Sequence, residues 1–577
     1  MIFRALACDY DGTLASDDQM GPEVVAALGE ARDAGLRLIL VTGRTFFELT
    51  RVCERLDLFD GVVAENGGVV YFPGSATIRD QAPPPAPRLL SELDRRGIYY
   101  QAGRVIIGTA RGDEPVVREA LATVGVTLEL VYNRAALMLL PAGVSKGTGV
   151  RRVIDTLGLS FHDVLAIGDA ENDLDLFEAC GWAACPESSV SMVKDRADWV
   201  FAGEAGEGIA RAITGVVLPG LLRVDRAPRH RVTLGWAAGT SEPATIAERG
   251  INLLIHGDPL SGKSWLAGAL VERLVGGRYA VCVIDPEGDY QVLDRLPGVT
   301  WEEIHDRSSL ERALGQFERD PAACVVVDLS RLPHPRKVEL IEHALELIQA
   351  QRQRVGFPHW VVLDEAHYSL HGDGVADPTI GIDRKGFCLT TYRPSWLRAS
   401  VVKAVDVMVL ARTTASEELA FLRSVMPGPE AANALSVLPD LALGEFLLIR
   451  SGDDGRPAVL TFTATPRETP HVRHLKKYAD SRVAPDRRFF FRDLDGRLVG
   501  TAESLGELRR VIGTVDEAVL FGHAGRGDFS RWVFDVFSDR ELGRQLRKTE
   551  LRWSRGEIRD LRRSIRRLIT LRYGARA

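Results

Sequence analysis

Short apolar runs, each ending on an acid or a hydroxyl, punctuate the first 215 positions. Residues 3–8 lead into Asp9, 36–41 into Thr42, 61–64 into Glu65 and 164–167 into Gly168-Asp169. Helical patterns lie between them, and this alternation predicts a parallel sheet covered by helices. A Pro-rich break at residues 81–87 opens a stretch, about 83–140, that reads as an inserted α+β cap. Residues 219–230 form a basic, Pro-bearing connector, and a second alternating block spans 231–465. After a polar, charged linker at 466–485, residues 486–577 make a third, smaller unit. The expected chain is α/β in its first two units and small α+β in its last.

Length agrees with several units, since 577 residues at about 150 per domain predict three or four. A hydrophobic content of 45% with 26% charged residues is that of a folded globular protein. The net charge of −7 argues against a uniformly basic nucleic-acid coat. Seven scattered cysteines without a C-x-x-C pair fit reduced thiols better than a disulfide framework or a zinc site. The N-terminal apolar stretch is too short for a signal sequence, and no segment reaches the ~18 apolar residues of a membrane span. The expectation is a soluble, cytoplasmic protein.

Candidate chemistry begins at Asp9-Tyr10-Asp11-Gly12-Thr13. Carboxylates two apart on extended backbone point the same way. One can attack phosphorus while the other protonates the leaving oxygen and later activates water. Gly12 permits a tight turn after the strand. Thr42 offers a hydroxyl, Lys146 a cation, and Gly168-Asp169-Ala170-Glu171-Asn172-Asp173 further oxygen ligands. Hard oxygens around a phosphoryl group imply Mg²⁺. Asp9 and Asp11 alone would read as a turn or capping pair; the later motifs turn the balance toward phosphate chemistry.

In this order the four elements closely resemble the haloacid dehalogenase superfamily of phosphatases. Glu65-Asn66-Gly67-Gly68 and the Gly-Asp-x-x-Asn-Asp form resemble its Cof-type subclass (class IIB-like), which carries a cap between the second and third motifs. The resemblance implies a Rossmann-like fold over residues 1–215. It also implies Asp9 as nucleophile, Asp11 as acid and base, and Thr42 and Lys146 on the phosphoryl oxygens. Mg²⁺ would be held by Asp9, Asp169, Asp173 and the backbone carbonyl of Asp11. Such enzymes act on sugar phosphates and other small phosphomonoesters.

The second block carries Gly257-Asp258-Pro259-Leu260-Ser261-Gly262-Lys263-Ser264 between an apolar strand at 252–256 and a helical pattern at 265–274. Backbone N–H groups and a helix N-terminus then face the phosphates of a nucleotide. Lys263 would reach the β and γ phosphates of ATP and Ser264 would ligate Mg²⁺. A second strand end supplies Asp364 for the metal and Glu365 to polarise water, which suits hydrolysis rather than transfer.

With Asp285-Pro286-Glu287-Gly288-Asp289-Tyr290, Asp364-Glu365-Ala366-His367 and Thr391-Tyr392-Arg393-Pro394-Ser395, the block resembles the HerA/FtsK-like translocase ATPases. That resemblance implies a RecA-like fold and a homo-hexameric ring with ATP between subunits. It also implies a trans arginine, for which Arg412 is the candidate; a solvated strand-end arginine is the equal alternative. Tyr392 stands where that family usually has Gln, and the usual preceding β-barrel is reduced to a strand-like piece near 231–236.

In the last unit, residues 488–491 and 518–521 read as strands, followed by a Gly-rich turn through His523, Arg526 and Asp528. The turn could bind an anion; Asp528 as a helix cap and His523 packed on Trp532 is the favoured alternative. From 540 to 577 there are thirteen basic and four acidic residues. That Arg-rich stretch suits nucleic acid, an acidic neighbour or plain solvation. The combined expectation is a phosphomonoesterase fused to a ring-forming ATPase, with no membrane association. The alternatives are a nucleic-acid end-processing phosphatase/kinase, and a DNA-binding defence-type motor with the phosphatase as effector.

Overall fold

The computed structural model describes residues 3–573 apart from 17, 134, 223–228, 238, 373–380, 427, 452–456, 470–487, 494 and 538. Most of the expected 466–485 linker, and half of the 219–230 connector, lie outside the described residues.

The N-terminal sheet has eight strands in the order Trp199–Phe201, Trp182–Pro186, Val164–Ile167, Ala5–Asp9, Arg37–Val41, Gly61–Ala64, Val69–Phe72, Thr77–Asp80. The first six run parallel, Val69–Phe72 runs against them, and Thr77–Asp80 pairs antiparallel to Val69–Phe72 at the edge. Helices cover both faces, so Ala5–Asp9 is buried at every position and reads as continuous apolar sequence up to its acid. This is the Rossmann-like arrangement expected. Strand order reverses beside Ala5–Asp9, between Arg37–Val41 on one side and Val164–Ile167 on the other, which opens a crevice at the strands' carboxyl ends.

The cap is a separate antiparallel sheet, ordered Glu129–Asn133, Ala136–Leu140, Ile107–Ala110, Tyr100–Ala102. Helices Pro87–Arg95 and Glu114–Val124 pack on it through Leu89, Leu93, Val117 and Leu121.

The second sheet has eleven strands. Seven are parallel, ordered Val407–Leu410, Asn252–His256, Phe387–Thr391, Trp360–Leu363, Val281–Asp285, Cys324–Asp328, Val299–Glu303. Glu445–Ser451, Pro457–Ala464, Arg231–Ala237 and Pro243–Ala247 extend it antiparallel. Thus the strand-like piece near 231–236 is an integral strand of this α/β sheet, paired on both sides, with Pro243–Ala247 outside it at the edge. The chain beyond it does not leave at once: Glu468 and Thr469 donate backbone N–H to Glu272 of helix Lys263–Gly276 at 2.7 and 3.1 Å.

The last unit is a hairpin, Phe489–Arg492 with Leu498–Ala502, packed on five helices around Phe491, Phe529, Leu546 and Ile565. Here one expectation fails. Residues 518–521 lie inside helix Glu517–Arg526, not in a strand. A four-residue apolar run is ambiguous, and the acid in the first turn with Gly527 at φ +71° beyond the last marks the helix. All seven cysteines are buried and unbridged. Among the described residues, no helix is long and apolar enough to cross a membrane.

Candidate functional site

Parallel pairing brings Asp9, Thr42 and Asp169 to one edge of the first sheet, with Cys8 opposite Ile167 and Asp9 opposite Val41. Asp9 is buried. Lys146 Nζ donates to Asp9 Oδ1 at 2.6 Å and to Asp173 Oδ1 at 2.7 Å. Side-chain oxygens of Asp9, Asp169 and Asp173 lie within 4.8 Å of one another. Asp173 Oδ2 accepts the backbone N–H of Asp169 (2.9 Å) and Ala170 (3.0 Å), which fixes the turn presenting Asp169. Lys146 itself opens helix Lys146–Leu157, whose N-cap Ser145 accepts from Thr148 N–H. Gly12 sits at φ +77°, and a Cβ there would meet Asp169 Oδ2 at 2.6 Å, so only glycine fits.

Three carboxylates around one ammonium leave this buried cluster short of positive charge. Burial first, then Asp173, pushes the Asp9 carboxyl well above its usual range, while Lys146 pulls it down. Burial alone would lower Lys146, yet Asp173 and Asp9 outweigh it and hold the ammonium above its usual range. An all-oxygen, net-negative donor set fits Mg²⁺.

Asp11 points elsewhere. Its partly exposed carboxylate accepts from Arg44 Nε at 2.9 and 3.0 Å and Nη2 at 2.6 Å, and from Thr42 Oγ1 at 3.5 Å. Arg44 also reaches Asp18, and its backbone N–H donates to Thr42 Oγ1 at 3.1 Å. The motif reading of residues 41–44 gave Arg44 no role. Glu65 went unassigned as well. Its buried carboxylate accepts backbone N–H from Phe46 (3.2 Å) and from Arg104, Val105 and Ile106 of the cap (3.0, 2.8 and 3.3 Å). It staples the cap to the sheet edge. Asn66 follows at φ +50°, taking a hydrogen bond from Asn172 at 3.1 Å and contacting Met138 of the cap.

The profile of haloacid dehalogenase-like hydrolases matches residues 6–95 and 130–213. Over 227 residues the chain is 32% identical to a phosphoglycolate phosphatase of Methanothermobacter thermautotrophicus, covering 36% of this chain and 97% of that protein. A phosphoglycolate phosphatase of Halorubrum lacusprofundi is 31% identical over 214 residues, with coverage of 36% and 93%. This chain belongs to the haloacid dehalogenase-like hydrolases. Among solved structures, a haloacid dehalogenase-like hydrolase from B. subtilis is 19% identical, covering 37% of this chain and 99% of that one at a TM-score of 0.32. Phosphatase character thus attaches to the N-terminal haloacid dehalogenase unit, and enzymes of that family typically use Mg²⁺.

Beyond the haloacid dehalogenase unit, a second set of predicted residues meets at the carboxyl edge of the eleven-stranded sheet. Gly257 to Ser264 link strand Asn252–His256 to helix Lys263–Gly276. Leu260 and Gly262 take positive φ, +65° and +104°, which curls the loop over the helix N-terminus. Ahead of them Asp258 is anchored by Thr414, whose N–H and Oγ1 donate to its Oδ2 at 2.9 and 2.7 Å; Pro259 follows. A Cβ on Gly257 would meet Ser261 Oγ at 2.5 Å. Lys263 is buried and its Nζ donates to the carbonyls of Gly257 and Asp258, both at 2.9 Å. Ser264, next on the helix, is buried too.

Asp364 is buried and accepts from Thr390 Oγ1. Glu365 takes φ +47°, its N–H donating to Thr390 Oγ1 at 3.3 Å and its Oε2 lying 3.6 Å from His367 Nδ1. Burial lowers His367 to about 4, with Glu365 opposing and Lys263 assisting, so this ring is neutral near pH 7. Asp285 receives four backbone N–H groups, from Glu287, Gly288, Asp289 and Tyr290, which closes the acidic turn. Arg412 lies beside its own chain's loop: its carbonyl accepts from Asp258 N–H at 2.9 Å.

The C-terminal turn is a helix-to-helix junction at Gly527, not an open anion loop. His523 bonds Asp528 Oδ2 (2.8 Å) and Arg492 N–H (3.0 Å), and its ring lies against Phe489, Phe491 and Phe529. In the Arg-rich helix Leu561–Tyr573, Arg562 holds the carbonyls of Ile512 and Val515, and Arg572 pairs with Asp539. Those two arginines tie the unit together; Arg563, Arg566 and Arg567 are exposed.

Proposed function

We propose that the chain hydrolyses a small phosphomonoester at Asp9 and ATP at residues 257–264. The observation that carries the first half is Lys146 bridging Asp9 and Asp173 beside Asp169. Lys146 occupies Asp9 Oδ1 and leaves the other oxygen to attack phosphorus. As the phosphorus–oxygen ester bond breaks, Asp11 gives its proton to the leaving oxygen. Asp11 then takes a proton from the water that cleaves the aspartyl-phosphate and regenerates Asp9. Thr42 and Lys146 hold the phosphoryl oxygens through the transfer. Arg44 keeps Asp11 at the rim until substrate enters. Asp9, Asp169 and Asp173, with the Asp11 carbonyl, would hold Mg²⁺, which would neutralise charge between an anionic nucleophile and an anionic ester. The relatives' names point to a small phosphorylated acid as substrate, beside the sugar phosphates expected from sequence.

The ATPase half is supported by strand order and by side chains. Strand Phe387–Thr391 separates the loop strand from the acid strand, and its Thr390 reaches Asp364. Lys263 resting on loop carbonyls marks the place where phosphate oxygens would replace them. In this reading Ser264 and Asp364 would hold Mg²⁺ and Glu365 would polarise water within a homo-hexameric ring; Arg412, whose carbonyl is bonded to its own chain's loop, would reach ATP across a subunit boundary through its side chain alone.

One experiment tests both halves. Asp9→Asn should abolish hydrolysis of a generic phosphoester and spare ATP turnover, while Lys263→Ala should do the reverse. Retained phosphoesterase in Asp9→Asn, or unchanged ATP affinity in Lys263→Ala, would overturn the corresponding half.

A further inference from the structure

Where the phosphatase unit meets the second sheet, a cavity of about 560 Å³ is lined on one side by Asp163 and Trp182 and on the other by Arg249, Tyr279, Arg352 and His359. It lies away from both phosphate sites, and its chemistry is unused by either.

Donors there outnumber acceptors. Arg249 is clamped over the Trp182 ring, its carbon 3.8 Å from the centroid, and spends one N–H on the His162 carbonyl at 3.0 Å. Among the described residues it has no carboxylate partner. Arg352 donates only to backbone carbonyls, those of Pro358, His359, Lys385 and Gly386. His359 Nδ1 accepts from Ala280 N–H at 2.9 Å, so its proton sits on Nε2. That Nε2 is buried without a hydrogen bond, 3.4 Å from Asp163 Oδ2. Arg384 and Lys385 add cations at the mouth, and Lys385 is spent on Asp406 at 2.8 Å. Asp163 and Asp383 are the acids of the lining. Burial pushes Arg249 and Arg352 down to about 10, and His162 well below its usual value with His359 assisting.

We propose that this junction cavity is a binding site for a small organic oxyanion, a phosphate or carboxylate of metabolite size, held by Arg249, Arg384 and His359 Nε2–H. Guanidinium forks bind either oxyanion bidentately. The volume falls in the usual range for small-molecule sites and far exceeds inorganic phosphate, so an organic body lies against Trp182 and Tyr279.

The test uses the full chain carrying Asp9→Asn and Lys263→Ala, which stops turnover at the two other phosphate sites, and the dependence of binding on Arg249 and Arg384 separates this cavity from them. Binding of adenosine monophosphate, glucose 6-phosphate, citrate and inorganic phosphate is measured by calorimetry. At least one organic probe should bind saturably. Its affinity should fall at least about tenfold on adding Arg249→Gln, and about threefold on adding the exposed Arg384→Ala, which leaves packing intact. The phosphate-ester and citrate arms identify the anion. Binding by none of the probes, inorganic phosphate binding as tightly as the organic ones, or affinities unmoved by Arg384→Ala in a folded chain would overturn the assignment.

Discussion

Lys146→Met is the sharpest perturbation of the phosphatase site. The substitution keeps the buried stem and deletes an ammonium that donates at 2.6 and 2.7 Å to two buried carboxylates. Removing one partner of a buried ion pair costs about 3–5 kcal/mol, because an uncompensated charge is left behind. In Mg²⁺-free buffer the loss should fall on this unit alone. The cysteines provide a local readout: Cys8 and Cys185 lie in the N-terminal sheet, Cys282 and Cys388 in the second, all buried. Thiol labelling followed by peptide mass spectrometry should show Cys8 and Cys185 reacting about 10²–10³-fold faster, with Cys282 and Cys388 unchanged. Added Mg²⁺ should recover part of the loss. The pH dependence has a definite sign. Asp9 is already raised in the fold, and losing the lysine raises it further. The penalty is therefore largest above that folded value and fades as pH falls through it, where the carboxyl takes up a proton. Cys8 labelling within threefold of wild type at neutral pH without Mg²⁺ would refute the reasoning.

Two further outcomes follow from geometry. Glu365→Gln should keep ATP affinity and lose at least about 100-fold in turnover, measured by phosphate release; normal turnover would remove Glu365 from the chemistry. Gly67→Ala places a Cβ 1.9 Å from the Ser145 carbonyl at φ +98°, whereas Gly143→Ala at φ +78° meets nothing within 4 Å. Thermal unfolding should show the first losing more than about 3 kcal/mol and the second only about 1 kcal/mol; equal losses would show that the backbone yields.

Legibility followed the physics of each element. Strands buried on both faces announce themselves as apolar runs, so Ala5–Asp9 and Asn252–His256 stood out, with their acid or glycine marking the carboxyl edge. Motifs that are local in sequence, such as residues 257–264, carried their geometry with them. Residues whose partners are backbone groups left no such mark. Glu65 binds three cap N–H groups about forty positions away, and nothing in its neighbours' side-chain types signals that. Arg44 was visible but unassigned, since only the fold turns it onto Asp11. Residues 518–521 were misread because four apolar positions cannot separate a strand from one helical turn. The cavity between units was illegible for the simplest reason: Asp163, Arg249 and His359 come from three distant segments.

The two sheets dock through the ends of helices that begin at the Asp9 cluster and at the 257–264 loop. Helix Lys146–Leu157 begins at the Asp9 cluster, and the short turn Phe161–Asp163 follows it. Helix Lys263–Gly276 begins at the nucleotide loop and ends at Gly277. His162 joins these tails: its Nε2 bonds the Gly277 carbonyl at 2.8 Å, and its ring stacks on Tyr279 at 3.5 Å. Next to it, the Asp163 carbonyl accepts Arg4 N–H at 2.8 Å, at the foot of the strand that carries Asp9. Burial keeps His162 neutral, so the bond to a helix-end carbonyl, a group that otherwise lacks a donor, persists across neutral pH. His162 thus links the end of the Lys263 helix to the root of the strands bearing Asp9 and Asp169. The Asp9 cluster and the 257–264 loop share a back wall, and the cation-rich cavity is set into that wall.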